Sequence, residues 1–181
     1  MTPRTSFVPL QDNPEPTQAS LIDIQPLTAD SFRPYGWVLG QNIRLDVDFC
    51  HQHTFDPGIG GETEVLWVNY LNRQREVSTL EMHRLTQQAI VPLTGEIVQV
   101  VAYSERDGSV DIGSMRAFRV RVGEGICMRA GCWHTTRVDA PEVKCMMLTR
   151  RSTTIDLVAH LTGGSPLSES AMCAVDRKLR S

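Results

Sequence analysis

A small all-β fold, a sandwich or barrel of short strands, is predicted for this chain of 181 residues, and three features carry the prediction. Apolar stretches of five to eight residues recur from residue 64 onward, separated by turn-forming clusters such as Thr94-Gly95, Glu105-Arg106-Asp107-Gly108 and Asp139-Ala140-Pro141. Phe118, Val120 and Val122 alternate with Arg119 and Arg121, which gives a strand one apolar and one charged face. Ile97-Val98-Gln99-Val100-Val101 is apolar in both parities, as in a strand buried on both sides.

In chain order, residues 1–19 carry Pro3, Pro9, Pro14 and Pro16 and read as a flexible arm, because fixed φ angles and missing donors suit neither helix nor central strand. Residues 20–181 read as one domain. Leu21 to Leu27 alternates as an edge strand. Thr28 caps a short helix over Ala29 to Arg33, which Pro34 stops, and Tyr35 to Leu39 returns as a strand. Residues 40–62 read as a loop. Further strands are expected over Val65–Leu71, Val77–His83, Ala89–Leu93, Ile97–Tyr103, Ala117–Val122, Trp133–Val138 and Val143–Thr149, with a glycine-punctuated turn from Gly125 to His134. Past Ser165-Pro166, the four-residue recurrence of Leu167, Ala171, Val175 and Leu179 predicts a C-terminal helix, with Arg177, Lys178 and Arg180 at the negative end of its dipole.

Composition narrows the function classes. Apolar residues make up 41% of the chain, enough for a buried core, and the formal net charge of −3 provides no basic field for a phosphate backbone. Nucleic acid is therefore not an expected partner. Cys50, Cys127, Cys132, Cys145 and Cys173 form neither a CxxC pair nor an even disulfide framework, and they read as reduced thiols. No segment has the apolar run of a signal peptide or a membrane span, so a cytoplasmic location is expected.

The chemistry concentrates in two stretches. In the first, Glu81 and His83 stand two apart, which on a strand puts both on one face, and Gln88 follows at the entry to Ala89-Ile90-Val91. In the second, Gly131-Cys132-Trp133-His134 leads into a strand, bringing His134 as a further candidate. His51-x-His53 is a competing pair, but no Glu stands four or five residues beyond it; it reads as a surface or lid loop.

The pattern Glu81-x-His83-x4-Gln88-x6-Gly95 with Gly131-x-x-His134 resembles the two motifs of the cupin superfamily, in which a His-x-His pair, a Glu and a later His ligate metal. Glu81 stands in place of the first His and Gln88 in place of the Glu. The resemblance implies a cupin-type antiparallel β-barrel, that is a double-stranded β-helix or jelly roll, here with a short N-terminal helix and a C-terminal helix. Phe32-x-x-Tyr35-Gly36, Gln88-Ala89-x-x-Pro92, Val100-Val101-Ala102, Arg116-Ala117-Phe118 and Gly131-x-Trp133-His134 further resemble the ureidoglycolate lyase family over roughly residues 21–151. Departures are Thr135-Thr136, where the family continues with His and Pro, and the stretch 42–61.

The family resemblance implies a carbon–nitrogen lyase that cleaves ureidoglycolate to glyoxylate and urea, and a homodimer. It implies Glu81, His83 and His134 as catalytic residues, with Glu81 or His134 as base and His83 as acid or metal ligand. The same three would bind a divalent metal, Ni²⁺ or Zn²⁺, which accept imidazole and carboxylate. Gln88, Arg129, Trp133 and Tyr35 are candidate substrate contacts; Arg137 shares the carboxylate-binding role with Arg129 as an alternative, and Trp133 and Tyr35 also fit a packing role. Two rival readings stand beside this one: a non-catalytic cupin binding a small carboxylate or sugar, and a metal-dependent cupin enzyme of different chemistry.

Overall fold

A computed structural model describes residues 20–40 and 53–181. The elements run β1 (Leu21–Pro26), α1 (Ala29–Phe32), β2 (Gly36–Gly40), β3 (Thr63–Tyr70), β4 (Glu76–His83), β5 (Gln88–Pro92), β6 (Ile97–Ser104), β7 (Val110–Val120), β8 (Glu124–Met128), β9 (Trp133–Val138), β10 (Val143–Arg150), α2 (Arg151–Gly163) and β11 (Ser170–Arg180). The all-β prediction holds, and so does the N-terminal helix: Thr28 Oγ1 accepts from Ser31 N at the start of α1. The predicted arm, together with Cys50 and His51, lies outside the described residues.

Two sheets face each other. One has six strands in the order β1-β11-β4-β9-β6-β7 and closes on itself through β1; the other runs β2-β8-β5-β10-β3. All pairs are antiparallel except those of β1, which runs parallel to β11 over residues 21–23 and to β7 over 24–26. The strand expected at an edge is therefore the one that closes the barrel, and its alternation reflects apolar Ile22 and Ile24 packing on the enclosed cluster.

This arrangement creates two interiors. Ile22, Val77, Leu80, Met82, Val98, Val100, Trp133 and Leu179 fill the inside of the six-stranded sheet. Phe32, Val38, Ile90, Ile97, Val101, Phe118, Ile126, Cys145 and Met147 pack between the two sheets. Strand β6 feeds both, with Val98 and Val100 in one cluster and Ile97 and Val101 in the other, which is why its sequence is apolar in both parities.

Three expectations need correction. The C-terminal helix is absent: residues 170–180 form β11, which pairs with β4 and β1. A four-residue spacing is an even number, so Ala171, Val175 and Leu179 also share one face of a strand, and the chain takes that solution with Cys173 added to the same face. The helix of this region is α2 instead. It shows no apolar stripe, since Thr153 is its buried residue and Ile155, Val158 and Leu161 are exposed. Residues 124–128, read as part of a turn, form the buried strand β8; the glycine before Ile126 serves close packing, because a Cβ on Gly125 would stand 3.0 Å from Val91 Cγ2. Strand β7 begins at Val110, seven residues earlier than expected, and Arg119 on its charged face is half-buried in ion pairs with Glu96 and Asp139.

Among the described residues no helix is long and apolar enough to cross a membrane. Cys127, Cys132, Cys145 and Cys173 are free thiols, the first three buried.

Candidate metal centre and active site

Strand parity builds the site. On β4, Leu80 and Met82 point into the enclosed cluster, so Glu81 and His83 point the opposite way, toward the space between the sheets. Gly131, with φ of 78°, turns the chain back toward β4, and its N–H donates to His83 O at 2.7 Å. The following strand then pairs Met82 with Trp133 and Glu81 with His134. Directly opposed residues share a face, so His134 joins Glu81 and Trp133 joins the enclosed core.

The ligand atoms of Glu81, His83 and His134 lie within 4.8 Å of one another. His134 Nε2 is 3.4 Å from Glu81 Oε1, and the two imidazoles meet edge to face with centroids 5.1 Å apart. The histidines are partnered differently. His134 Nδ1 donates to Cys132 O at 2.9 Å, which leaves Nε2 buried with no hydrogen-bond partner. His83 is engaged at both nitrogens, Nδ1 with Ser170 Oγ at 3.1 Å and Nε2 with Gln88 Nε2 at 3.0 Å. Because the Gln88 amide is a donor, His83 Nε2 accepts and Nδ1 carries the proton.

The charges follow from burial and from these contacts. Burial, then the charge of His134, push the His83 imidazole down to about 4 against the opposing pull of Glu81, so it is neutral at pH 7. Burial pushes the Glu81 carboxyl up, but the neighbouring imidazoles, His134 ahead of His83, outweigh it and hold Glu81 below its ordinary value. Glu81 is thus a carboxylate, with its side chain 31% exposed.

Glu81, His83 and Gln88 open on a cavity of about 200 Å³, whose walls include Leu66, Val68, Tyr70, Met147 and Thr149 and whose cover is Thr153, Thr154 and Leu157 of α2. That volume is below the roughly 300–1,000 Å³ of sites for drug-sized ligands and fits a small metabolite. His134 does not reach the cavity wall; it is met through Glu81. The phenol of Tyr70 is pushed well above its ordinary range by burial, partly offset by a hydrogen bond with Thr136. Thr136 Oγ1 in turn donates to Gln99 Oε1 at 2.9 Å, so the Thr that departs from the family pattern anchors a polar chain behind the cavity.

Of the residues read from the sequence, Glu81, His83, His134 and Gln88 come together. Tyr35, Arg129 and Trp133 do not. Tyr35 is buried, stacks on Tyr103 and donates to Ser114 O at 2.6 Å. Arg129 lies over the Trp37 ring at 4.1 Å and donates to Arg33 O, outside the cavity. Arg137, the alternative anion site, is buried and donates to Glu76 O, Thr135 Oγ1 and Thr136 O. His53 sits against Trp37 with ring centroids 4.8 Å apart, away from the triad. Tyr70, Thr149, Ser170 and the α2 cover escaped the sequence reading. Parity with the inward Cys145 and Met147 was the available signal for Thr149; Ser170 gave none while its segment read as a helix.

Two facing sheets, the six-stranded one closed by β1 and carrying one carboxylate and two imidazoles on the side toward the other, define a cupin-type barrel with a candidate metal centre. Known sequences make the assignment specific. The sequence model of the family described as ureidoglycolate lyase matches residues 19–163, and the chain belongs to that family. Similar curated proteins named ureidoglycolate lyase come from Rhodobacter capsulatus (31% identical over 121 residues, 61% of this chain and 74% of that one), Burkholderia mallei (28% over 141 residues, 72% and 82%) and Pseudomonas putida (28% over 123 residues, 61% and 72%). A solved dTDP sugar isomerase from Desulfovibrio desulfuricans is similar at a TM-score of 0.36 and 18% identity, covering 60% of this chain and 63% of that one. The fold class rests on the strand order.

Proposed function

We propose that the protein is a carbon–nitrogen lyase that cleaves ureidoglycolate to glyoxylate and urea, with Glu81, His83 and His134 as its working residues. The observation that carries this reading is an ionised Glu81 on the wall of a small cavity, with the buried Nε2 of His134 3.4 Å behind it. Family membership narrows the substrate.

In the cleavage, the proton on the substrate's carbinol oxygen leaves, that C–O bond becomes C=O, the C–N bond breaks, and the departing urea nitrogen takes up a proton. Glu81 is the base, since its carboxylate is ionised and faces the cavity. His134, 3.4 Å behind it, shares that proton and hands it back to Glu81, which delivers it to the leaving nitrogen, while the Cys132 carbonyl fixes the His134 ring. His83 is not the acid: it is neutral, and its Nε2 is an acceptor held by Gln88.

The three residues also fit a divalent metal. His134 Nε2 offers a buried lone pair without a partner, its tautomer is set by Cys132 O, and Glu81 supplies the charge. Glu81, His83 and His134 would hold the ion, with Gln88 yielding His83 Nε2 to it, and Ni²⁺ or Zn²⁺ suits this nitrogen and oxygen set. Such an ion supplies Lewis acidity toward the substrate's oxygens. Among the described residues no Arg or Lys lines the cavity, so a bound cation would also provide the positive charge that a carboxylate substrate calls for.

The test is release of urea and glyoxylate from racemic ureidoglycolate, before and after chelator treatment and Ni²⁺ or Zn²⁺ restoration. Enantioselective formation of both products above the spontaneous rate is expected; no acceleration in any metal state would overturn the lyase reading. The reading extends to a cytoplasmic homodimer, for which Val65 and Trp67 on the outer face of β3, with Leu71 just past its end, offer an exposed apolar contact, and light scattering at twice the 20.2 kDa chain mass would support it.

A further inference from the structure

The cavity has a second polar group, on the sheet facing the triad, that the cleavage chemistry does not use. Thr149 points inward with Cys145 and Met147, and it lines the cavity. Its side chain is almost fully buried, and Oγ1 has no hydrogen-bond partner. Directly opposite on β3 stands Glu64, in register with Thr149 and of the same parity as Leu66, Val68 and Tyr70, which line the cavity. Glu64 Oε1 is likewise buried and without a partner. Two orphaned oxygens on one cross-strand pair are costly for a protein to keep unless something donates to them.

The surroundings decide what that something is. Near this group, Glu169 accepts from Ser152 Oγ and Thr153 Oγ1 on α2, with Arg150 3.5 Å away. Another anion would face Glu64 and Glu169 together. A neutral group rich in N–H donors would satisfy both orphaned oxygens at no charge cost. The triad stands on the facing sheet; since Glu81 is placed at the carbinol carbon, the carboxylate carried by that same carbon lies on the triad's side of the cavity.

We infer that Thr149 and Glu64 form the subsite for the terminal carbamoyl group of a ureido acid, whose NH₂ donates to Thr149 Oγ1 and Glu64 Oε1, and thereby orient the substrate with its carboxylate toward the triad. This inference rests on the lyase reading for the substrate, but the binding it describes can be tested apart from turnover.

The experiment compares wild type with Thr149→Val, which keeps the shape and removes the hydroxyl, and Thr149→Ser, which restores it. For Thr149→Val, KM for ureidoglycolate is expected to rise about tenfold, with kcat within about threefold; Thr149→Ser recovers most of the loss. Removing an unpaired buried hydroxyl should leave Tm equal or higher. Thermal shift with unreactive N-carbamoylglycine and with glycolate provides the binding readout: wild type should favour the carbamoyl compound, and Thr149→Val should lose that preference. Unchanged KM and unchanged preference would overturn the subsite while leaving the lyase standing. A lowered Tm with unaltered preference would mean that Thr149 pairs with Glu64 in a structural role. If wild type fails to cleave ureidoglycolate but keeps a Thr149-dependent preference for N-carbamoylglycine, the lyase fails and the subsite survives.

Discussion

The two interiors of this protein use the same strands for different ends. Inside the six-stranded sheet, Leu80, Met82, Val98, Val100 and Trp133 pack apolar side chains against one another. Between the sheets, the residues that alternate with them, Glu81, His83, Gln99 and His134, bring charge and hydrogen-bonding groups into a space shared with Leu66, Val68 and Met147. The inside of the six-stranded sheet is filled by apolar side chains, whereas the space between the sheets keeps a cavity that α2 helps to cover. One residue step along β4 therefore separates stability from chemistry.

The largest expected effect breaks that comparison at adjacent positions. Glu81→Gln removes the carboxylate and should lower kcat by about 10³-fold or more, as losing a general base costs roughly 10²–10⁴, with Tm nearly unchanged. Leu80→Ala, one residue away, should cost about 2–5 kcal/mol of stability, measured by denaturant unfolding, while the folded fraction keeps its kcat. If both variants lost stability alike and activity alike, the division of β4 into two faces would be wrong.

A smaller effect sharpens the contrast between the histidines. Burial holds folded His83 at about 4, below the ordinary 6.5, so the unfolded chain takes up its proton first as pH falls. The stability from a neutral His83 is fully present above pH 6.5 and is lost progressively toward pH 4, by roughly 3 kcal/mol in metal-free protein. His83→Asn should flatten that part of the stability curve. An undiminished slope between pH 6.5 and 4 in the variant would assign the titration elsewhere.

Most of the barrel was legible because strand signals are local. Trp133–Val138 was bounded to the residue, and β3 to β6 and β10 within about two residues, since apolar runs and turn clusters mark them without reference to distant chain. The triad was legible for the same reason: two-residue spacing on β4 fixes a shared face, and the glycine before His134 marks the turn that aligns β9. The failures share a cause as well. Ala171, Val175 and Leu179 fit both periods, and only pairing with β4 and β1, about ninety and one hundred and fifty residues away in sequence, selects the strand. The α2 helix covers the cavity without an apolar stripe, so nothing local announces it. Arg129 and Arg137 were plausible anion sites by charge, but their backbone-carbonyl and aromatic partners are visible only in three dimensions. Thr149 was within reach of parity, but an isolated threonine in an apolar strand carries no local signal beyond packing.

The most direct test of the account compares wild type and Glu81→Gln in one assay, following consumption of each ureidoglycolate enantiomer together with urea and glyoxylate. The account predicts that wild type consumes one enantiomer with equal yields of both products and that Glu81→Gln, folded to the same Tm, leaves only the spontaneous rate. Wild-type-like turnover by the folded variant would contradict it.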